Sequence, residues 1–186
     1  AMKNNINLKV LSSIVQSSGT MIINEKKLIE KEIVSGVSYS INESKITISG
    51  VPDKPGISAT IFGILSKNNI NVDMIVQNIS QDGIKANLTF TVQVEDMDLS
   101  KRLIENNKSL IQYNSLSTND DVAKISVIGV GMKSQTGVAK KMFQTLASKK
   151  INILAISTSE IKISVLIDKK FTKKAVKSLH EAYILR

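Results

Sequence analysis

The sequence predicts an α+β protein made of two ferredoxin-like βαββαβ domains, whose antiparallel sheets pair side by side. The main observation is a repeat, because Lys45-Ile-Thr-Ile-Ser-Gly-Val51 returns as Lys124-Ile-Ser-Val-Ile-Gly-Val130. Each copy is followed by a loop ending in glycine, a helical pattern and two further apolar stretches. A repeat that keeps these elements in order indicates a duplicated supersecondary unit. A chain of 186 residues is long enough for two such small domains.

The segment before the first copy is harder to assign. Residues 4–18 predict a strand and then a loop that ends near Thr20, and Met21-Ile-Ile23 predicts a short strand. Lys27 to Glu32 is charged and poorly periodic, whereas Val34 to Ile41 alternates moderately and predicts another strand. Residues 21–42 therefore either belong to the first domain or complete the sheet of the second.

The first copy has a clear order of elements. Lys45 to Val51 alternates as a half-buried strand, and Pro52-Asp-Lys-Pro-Gly56 ends it. A helical face follows and ends at Asn68-Asn69. Two strands, Val72 to Ile79 and Ile84 to Val94, form a predicted hairpin, and Asp98 is a predicted N-cap of a second helix. Tyr113 to Ser117 is predicted to close the unit.

The second copy repeats this order. Strands are expected at 124–130, 153–158 and 161–167, with helices at 137–148 and 172–182. The order βαββαβ is the ferredoxin-like arrangement, in which two helices cover one face of an antiparallel sheet. Such a sheet has exposed edges, which invite pairing into a larger sheet.

The composition excludes several classes of function. The chain has no cysteine, which excludes disulfides, thiolate metal sites and thiol catalysis. No apolar run approaches the roughly 18 residues that a membrane span requires, and a cytoplasmic location is the default expectation. The single histidine, His180, lies beside apolar positions of the last helix and indicates a structural or surface role.

The net charge of +9 is unevenly distributed. Residues 1–121 carry 12 basic and 13 acidic groups, whereas residues 122–186 carry 13 basic and 3 acidic groups. Nearly all the basic residues are lysines, with few aromatic residues among them to stack on bases. The pattern favours solvated helix faces over a nucleic-acid or acidic-partner surface.

Enzymatic motifs are missing from the sequence. Gly129-Val-Gly131 resembles the start of a dinucleotide fingerprint, but the sixth position is Ser134 in place of glycine. There is no Gly-x4-Gly-Lys-Ser/Thr loop, and the carboxylates have no metal-ligand spacing. We therefore expect no catalytic residue and no metal site in this chain.

A small-ligand site is more plausible at the start of the first predicted helix. The backbone N–H groups at Gly56-Ile-Ser58 suit a carboxylate, and Asp53 could hold an ammonium group. An amino acid carries both charges. The structural alternative is a tight turn in which Asp53 caps the helix. Gln77 and Asn78, within an apolar strand, also have two interpretations, since their amides need partners from either protein or ligand.

Two specific stretches of the second copy are Gly129-Val-Gly-Met-Lys-Ser134 and Ile156-Ser-Thr-Ser-Glu-Ile-Lys-Ile-Ser-Val-Leu166. The first copy adds the turn Val51 to Gly56 and the stretch Ile70 to Asn78. Together these four stretches resemble the regulatory region of aspartate kinase, over roughly residues 18–186, and the Val51 to Gly56 turn is one that many ACT domains share. Residues 5–20 resemble the last strand and exit of that enzyme's catalytic domain, and the rest of the kinase domain is missing. The chain is expected to be either a natural small subunit or a truncated piece.

The resemblance implies a tandem ACT module that forms a homodimer, contacts the kinase catalytic domain or subunit, and binds lysine, threonine or both. It implies no cofactor in this chain, because ATP and magnesium would belong to the kinase domain, and no nucleic-acid or membrane partner. The implied domains are 1–20 as catalytic-domain exit, 21–118 as the first ACT domain and 119–186 as the second. Family effector sites lie between ACT domains and, carried over by motif, would use Asp53, Gly56, Ile57, Ser58, Asn71, Val72, Asp73, Gln77, Val138, Ala139, Asn152, Ile153, Ser159 and Glu160.

One departure from the family pattern concerns the second copy. The family often has threonine where this chain has Ala139, so one hydroxyl contact to an effector is missing. The alternative to an amino-acid sensor is a purely structural dimerisation module whose turn motifs serve packing alone.

Overall fold

The computed structural model describes residues 4, 6–22, 33–81, 83–133 and 136–183. Its strands are β1 (Leu8–Val10), β2 (Thr20–Ile22), β3 (Gly36–Pro52), β4 (Ile75–Ile79), β5 (Lys85–Val92), β6 (Ser115–Ile128), β7 (Ala155–Thr158) and β8 (Lys162–Asp168). Its α-helices are α1 (Ile57–Lys67), α2 (Met97–Asn106), α3 (Lys108–Ile111), α4 (Val138–Ser148) and α5 (Thr172–Tyr183). None of the helices in these described ranges is long and apolar enough to cross a membrane.

Two long strands, β3 and β6, run through both halves of the main sheet. This sheet has six strands in the order β4-β5-β3-β6-β8-β7, and all neighbours are antiparallel. The first unit uses residues 44–52 of β3 and 115–119 of β6, together with α1, β4, β5 and α2. The second unit uses residues 122–128 of β6 with α4, β7, β8 and α5, and takes its outer strand from residues 36–40. Each unit is a ferredoxin-like βαββαβ fold, as predicted.

The continuity of the long strands corrects the predicted boundaries. Val34 to Ile41 and Lys45 to Val51 were expected as separate strands, but β3 joins them through an irregular stretch between Ser40 and Lys45. The predicted strands at Tyr113 to Ser117 and at 124–130 likewise overlap a single strand, β6, which runs from Ser115 to Ile128. The irregular pairing lets one backbone pass from one unit to the other without a loop. Residues 36–40 pair with residues 124–128 of β6, within the second unit.

Smaller differences occur at element ends. Asp98 is not an N-cap, because α2 begins at Met97 after a 3₁₀ turn at Val94–Asp96. Residues 71–74 lie outside β4, which begins at Ile75. β6 ends at Ile128, two residues before the predicted end at residue 130, and a 3₁₀ turn at Val130–Lys133 follows. Ile23, the charged stretch Lys27–Glu32, Asp82, Ser134 and Gln135 lie outside the described residues.

Each unit has its own apolar core between sheet and helices. The first core centres on Phe90, Ile46 and Leu65, and Phe62 meets Phe90 edge to face at 5.5 Å between ring centroids. The second centres on Ile125, Met142 and Val165, and Val34 joins it from the N-terminal segment. A third, small cluster of Met74, Val122, Leu166 and Ala155 connects the two units, so β4 approaches β7 at the junction.

Candidate functional site

The turn before α1 is built as a helix start without a side-chain cap. Gly56 is the N-cap residue and has a φ of 93°, a left-handed conformation that favours glycine. No described side chain caps the helix, and its first turn carries no acidic residue. The alternative in which Asp53 caps α1 is therefore not what the structure shows. Asp53, which is half-buried, lies three residues before the Gly56 N-cap, so a carboxylate and the positive end of the helix dipole are close in sequence, as a zwitterionic ligand would require.

Gln77 on β4 lies beside this helix start. Ser58 Oγ donates a hydrogen bond to Gln77 Oε1 at 3.3 Å, although 19 residues separate them in sequence. Both Gln77 and Asn78 are exposed, so neither is the buried amide considered from the sequence. The structure thus brings together Asp53, Gly56, Ile57, Ser58 and Gln77 at the outer end of the first unit. Ile57 contributes packing, because its side chain is buried in the first core.

Asn71, Val72 and Asp73 lie at the opposite end of the same unit. They follow the C-terminal end of α1, and an 11-residue helix separates its two ends by about 16 Å. The backbone N–H of Asp73 donates to the carbonyl of Thr91 at 3.0 Å, which holds this segment beside β5. Within one chain these three residues therefore lie apart from the Gly56 turn, at the junction with the second unit.

The second unit reproduces the uncapped helix start. Gly137 is the N-cap of α4 with a φ of 95°, and again no described side chain caps the helix. Val138 is buried, and its carbonyl accepts a hydrogen bond from Tyr183 Oη at 2.5 Å. Burial raises the pKa of Tyr183 to about 12, so its hydroxyl remains a donor at neutral pH. Ala139 is half-buried against the second core.

The remaining predicted residues of the second unit divide between its two ends. Asn152 is exposed and Ile153 half-buried just before Leu154, whose N–H donates to the carbonyl of Leu166 at the junction. Ser159 and Glu160 form the exposed β7–β8 hairpin, in which Ser159 N–H donates to the carbonyl of Lys162 at 2.7 Å. The predicted effector residues thus occupy three places in one chain: two outer ends and the junction.

The structure adds an ion cluster that sequence reasoning missed. The Lys124 ammonium on β6 bonds to the carboxylates of both Glu43 and Asp73. Burial is the largest influence and lowers the pKa of Lys124, but the hydrogen bonds to Asp73 and Glu43 outweigh it, and the pKa is raised above its ordinary value. A polar cavity of about 380 Å³ adjoins this cluster and includes Asn71 and Gln93 in its lining. The available signal was Lys124, a charged residue between the apolar Ala123 and Ile125 in the repeated strand motif.

The lysine-rich surface belongs to the helical side of the second unit. Lys140, Lys149, Lys173 and Lys177 are exposed, and Lys174 Nζ donates to the carbonyl of Lys149 at 3.0 Å. Within the described part of the chain, no group of His, Cys, Asp or Glu side chains could hold a metal ion. These helix faces have the solvated character expected from the sequence.

Comparison with known proteins agrees with this architecture. The profile of the ACT domain family matches residues 40–107 and 125–183, the two units described above. An aspartate kinase of Pseudomonas fluorescens (strain SBW25) is 45% identical over 186 residues, which are 100% of this chain and 45% of that protein. The chain thus spans less than half the length of the curated relatives it matches.

Solved structures give the same result. The ligand-free regulatory subunit of aspartate kinase from Thermus thermophilus is 34% identical with a TM-score of 0.76, over 81% of this chain and 99% of that one. Aspartokinase III of E. coli, solved with lysine and aspartate, is similar in fold alone, with 21% identity and a TM-score of 0.76 over 98% of this chain and 40% of that one. The chain therefore belongs to the ACT domain family, in the tandem arrangement of aspartate kinase regulatory regions.

Proposed function

We propose that this chain senses amino acids for an aspartate kinase, binding lysine, threonine or both at interfaces between ACT domains. The observation that carries the proposal is the pair of uncapped helix starts after Gly56 and Gly137. Each offers backbone N–H donors and a positive helix end to a carboxylate. Asp53 at one outer end, Glu160 at the other and the half-exposed Asp73 at the junction are the carboxylates proposed for the ligand's ammonium group. The similar E. coli enzyme was solved with lysine, which fits this ligand class.

Two copies of the chain would complete the sites. The edge strand β4 exposes Ile75 and Ile79, and the edge strand β7 exposes Ile156. Exposed edges with apolar side chains favour pairing with another strand, and pairing would cover both the edges and the isoleucines. A homodimer formed this way would place the junction residues Asn71 to Asp73 of one copy near an outer end of the other. Residues separated by about 16 Å in one chain would then line one interface.

The proposed role in the cell is feedback inhibition of the aspartate pathway, in the cytoplasm. The kinase catalytic domain, which transfers phosphate from ATP with magnesium to the side-chain carboxylate of aspartate, would be the partner. The N-terminal hairpin β1–β2 exposes apolar side chains such as Ile14 and Val15, a surface suited to that contact. An effector would inhibit only by binding more tightly to the arrangement that holds the kinase inactive.

One observation favours a second candidate, a dimerisation module without a ligand. Ser58 Oγ donates a hydrogen bond to Gln77 Oε1, and Tyr183 Oη donates one to the Val138 carbonyl. These polar groups therefore already have hydrogen-bond partners within the chain. In that case the two helix starts would serve packing alone, and neither amino acid would bind.

Isothermal titration calorimetry with lysine and threonine, singly and together, separates the two candidates. We expect binding by at least one of them and a loss of about tenfold or more for Asp53→Asn, since a hydrogen bond to a charged group contributes about 1.5–3 kcal/mol. Asp98→Asn is the matched control, because it removes an exposed carboxylate from α2 in the same unit. No heat and no thermal stabilisation at millimolar concentrations, with a folded dimer, would refute the sensor and leave the dimerisation module.

A further inference from the structure

The ion cluster at the junction joins three separate parts of the fold. Asp73 belongs to the segment between α1 and β4, Glu43 to the irregular stretch of β3, and Lys124 to the second-unit half of β6. The side chain of Glu43 is 8% exposed and that of Lys124 is 16% exposed, whereas the side chain of Asp73 is 49% exposed. The Lys124–Glu43 pair is therefore the buried part of the cluster, and Asp73 is the part that a dissolved molecule can reach.

A lysine ammonium has the same chemistry as the ammonium group of a free amino acid. Lys124 holds that group against Asp73, one of the residues that the family resemblance predicts for an effector site. The adjoining cavity of about 380 Å³ lies within the range of small-molecule sites, and polar side chains including Asn42, Asn71 and Gln93 line it. The Asp73 carboxylate is thus already paired with a cation from the same chain.

We propose that Lys124 is a tethered competitor for the effector's ammonium group, so an amino acid engages Asp73 by displacing Lys124 Nζ from it. The proposal rests on the sensor function proposed above. Lys124 keeps a partner after displacement, because Glu43 remains beside it. Displacement removes the ionic contact between the first and second units. The effector site and the arrangement of the two units are thereby coupled through one lysine.

The strength of the Lys124–Asp73 ion pair sets how much the affinity for the amino acid should change when Lys124 is removed. An ion pair with a half-exposed partner contributes up to about 1 kcal/mol, which corresponds to about fivefold in affinity. Lys124→Met alone would leave Glu43 buried without its cation and could prevent folding. The test variant is therefore Lys124→Met combined with Glu43→Gln, which leaves Asp73 as the one charge of the cluster. Lys101→Met, which removes an exposed lysine from α2, controls for the loss of a lysine ammonium outside the cluster.

Calorimetry with threonine and with lysine provides the first readout. We expect the double variant to bind its amino acid about fivefold more tightly than wild type, Lys101→Met to bind as wild type does, and Asp73→Asn to bind at least tenfold more weakly. Unchanged or weaker binding by the double variant, alongside normal binding by wild type, would overturn the competitor role and leave the sensor intact. No binding by any variant or wild type would instead overturn the sensor, and the competitor role with it.

A second readout does not depend on affinity. In a chain labelled with ¹³C and ¹⁵N at lysine, the side-chain signal of Lys124 is assigned by its loss in the double variant. Titration with unlabelled threonine is expected to shift that signal and to leave the signal of Lys101 in place. A Lys124 signal that stays fixed while wild type is saturated with threonine would overturn the displacement.

Discussion

Gly129→Ala is expected to destabilise the second unit, because Gly129 lies against the N-terminal segment. A Cβ at this position would lie 2.1 Å from the carbonyl oxygen of Ile33 and 2.7 Å from Cα of Val34. Both contacts are with backbone, which cannot rotate away as a side chain can. Val34 is buried in the second core, and Ser35 N–H donates to the carbonyl of Ile128 at 2.7 Å. The substitution therefore separates the outer strand, residues 36–40, from the unit it completes.

The magnitude follows from the cost of overpacking. Extra atoms in a closely packed site cost about 1–3 kcal/mol, and the upper end applies where backbone must move. For a chain of this size, 3 kcal/mol lowers the melting temperature by about 6–12 °C. Thermal unfolding followed by circular dichroism measures this change.

Gly36→Ala is the matched control. Gly36 pairs directly with Ile128, next to Gly129, but a Cβ there would meet nothing within 4 Å. The control is expected to keep or slightly raise the melting temperature, since alanine restricts the unfolded chain more than glycine. Wild-type stability for Gly129→Ala, or equal losses for both variants, would refute the assignment of residues 33–40 to the second unit.

Two further predictions concern buried polar contacts in the second unit. The hydroxyl groups of Ser126 and Ser164 are hydrogen-bonded to each other at 2.8 Å, and both residues are buried. Ser126→Ala or Ser164→Ala alone should lower the free energy of unfolding by about 1–3 kcal/mol, because one buried hydroxyl is left unpaired. The double alanine variant leaves no unpaired hydroxyl and should be nearly neutral. Chemical denaturation of the four proteins tests this, and additive losses would contradict it. Because the pKa of Tyr183 is raised in the folded chain, its protonated hydroxyl should contribute about 1 kcal/mol to the free energy of unfolding, after allowance for partial exposure. This contribution is fully present below pH 10 and is lost as pH rises towards about 12. Tyr183→Phe should lose about 1 kcal/mol at neutral pH and remove this alkaline dependence in denaturation experiments; an unchanged alkaline profile would exclude Tyr183 as its source.

The fold was largely predictable because its elements carry local signals. The alternation in Lys45 to Val51 and its return in the second copy indicated two similar units, and the Pro52 to Gly56 turn marked where the first helix starts. The joining of strands into β3 was not predictable from local pattern. Asn42-Glu43-Ser44 has the composition of a linker, and it is held in the sheet by pairing with β5 and β6, which lie far away in sequence.

The candidate site was predictable at its helix starts and not at its ion cluster. The glycines at Gly56 and Gly137, each just before a helical pattern, indicate in the sequence where the two uncapped helices start. The grouping of Asp73 with Lys124 and Glu43 depends on contacts across 51 residues of chain and on the register between β3 and β6. Effector placement at Asp53, Asn71 or Asn152 stays a prediction, since it depends on how two copies meet.

A crystal structure of the chain grown with both lysine and threonine tests the central claim most directly. The account predicts an amino acid at an interface between ACT domains, with its carboxylate on the backbone N–H groups that follow Gly56 and its ammonium group on Asp53 or Asp73. A folded dimer whose interfaces contain neither amino acid, with Lys124 still bound to Asp73, would contradict it.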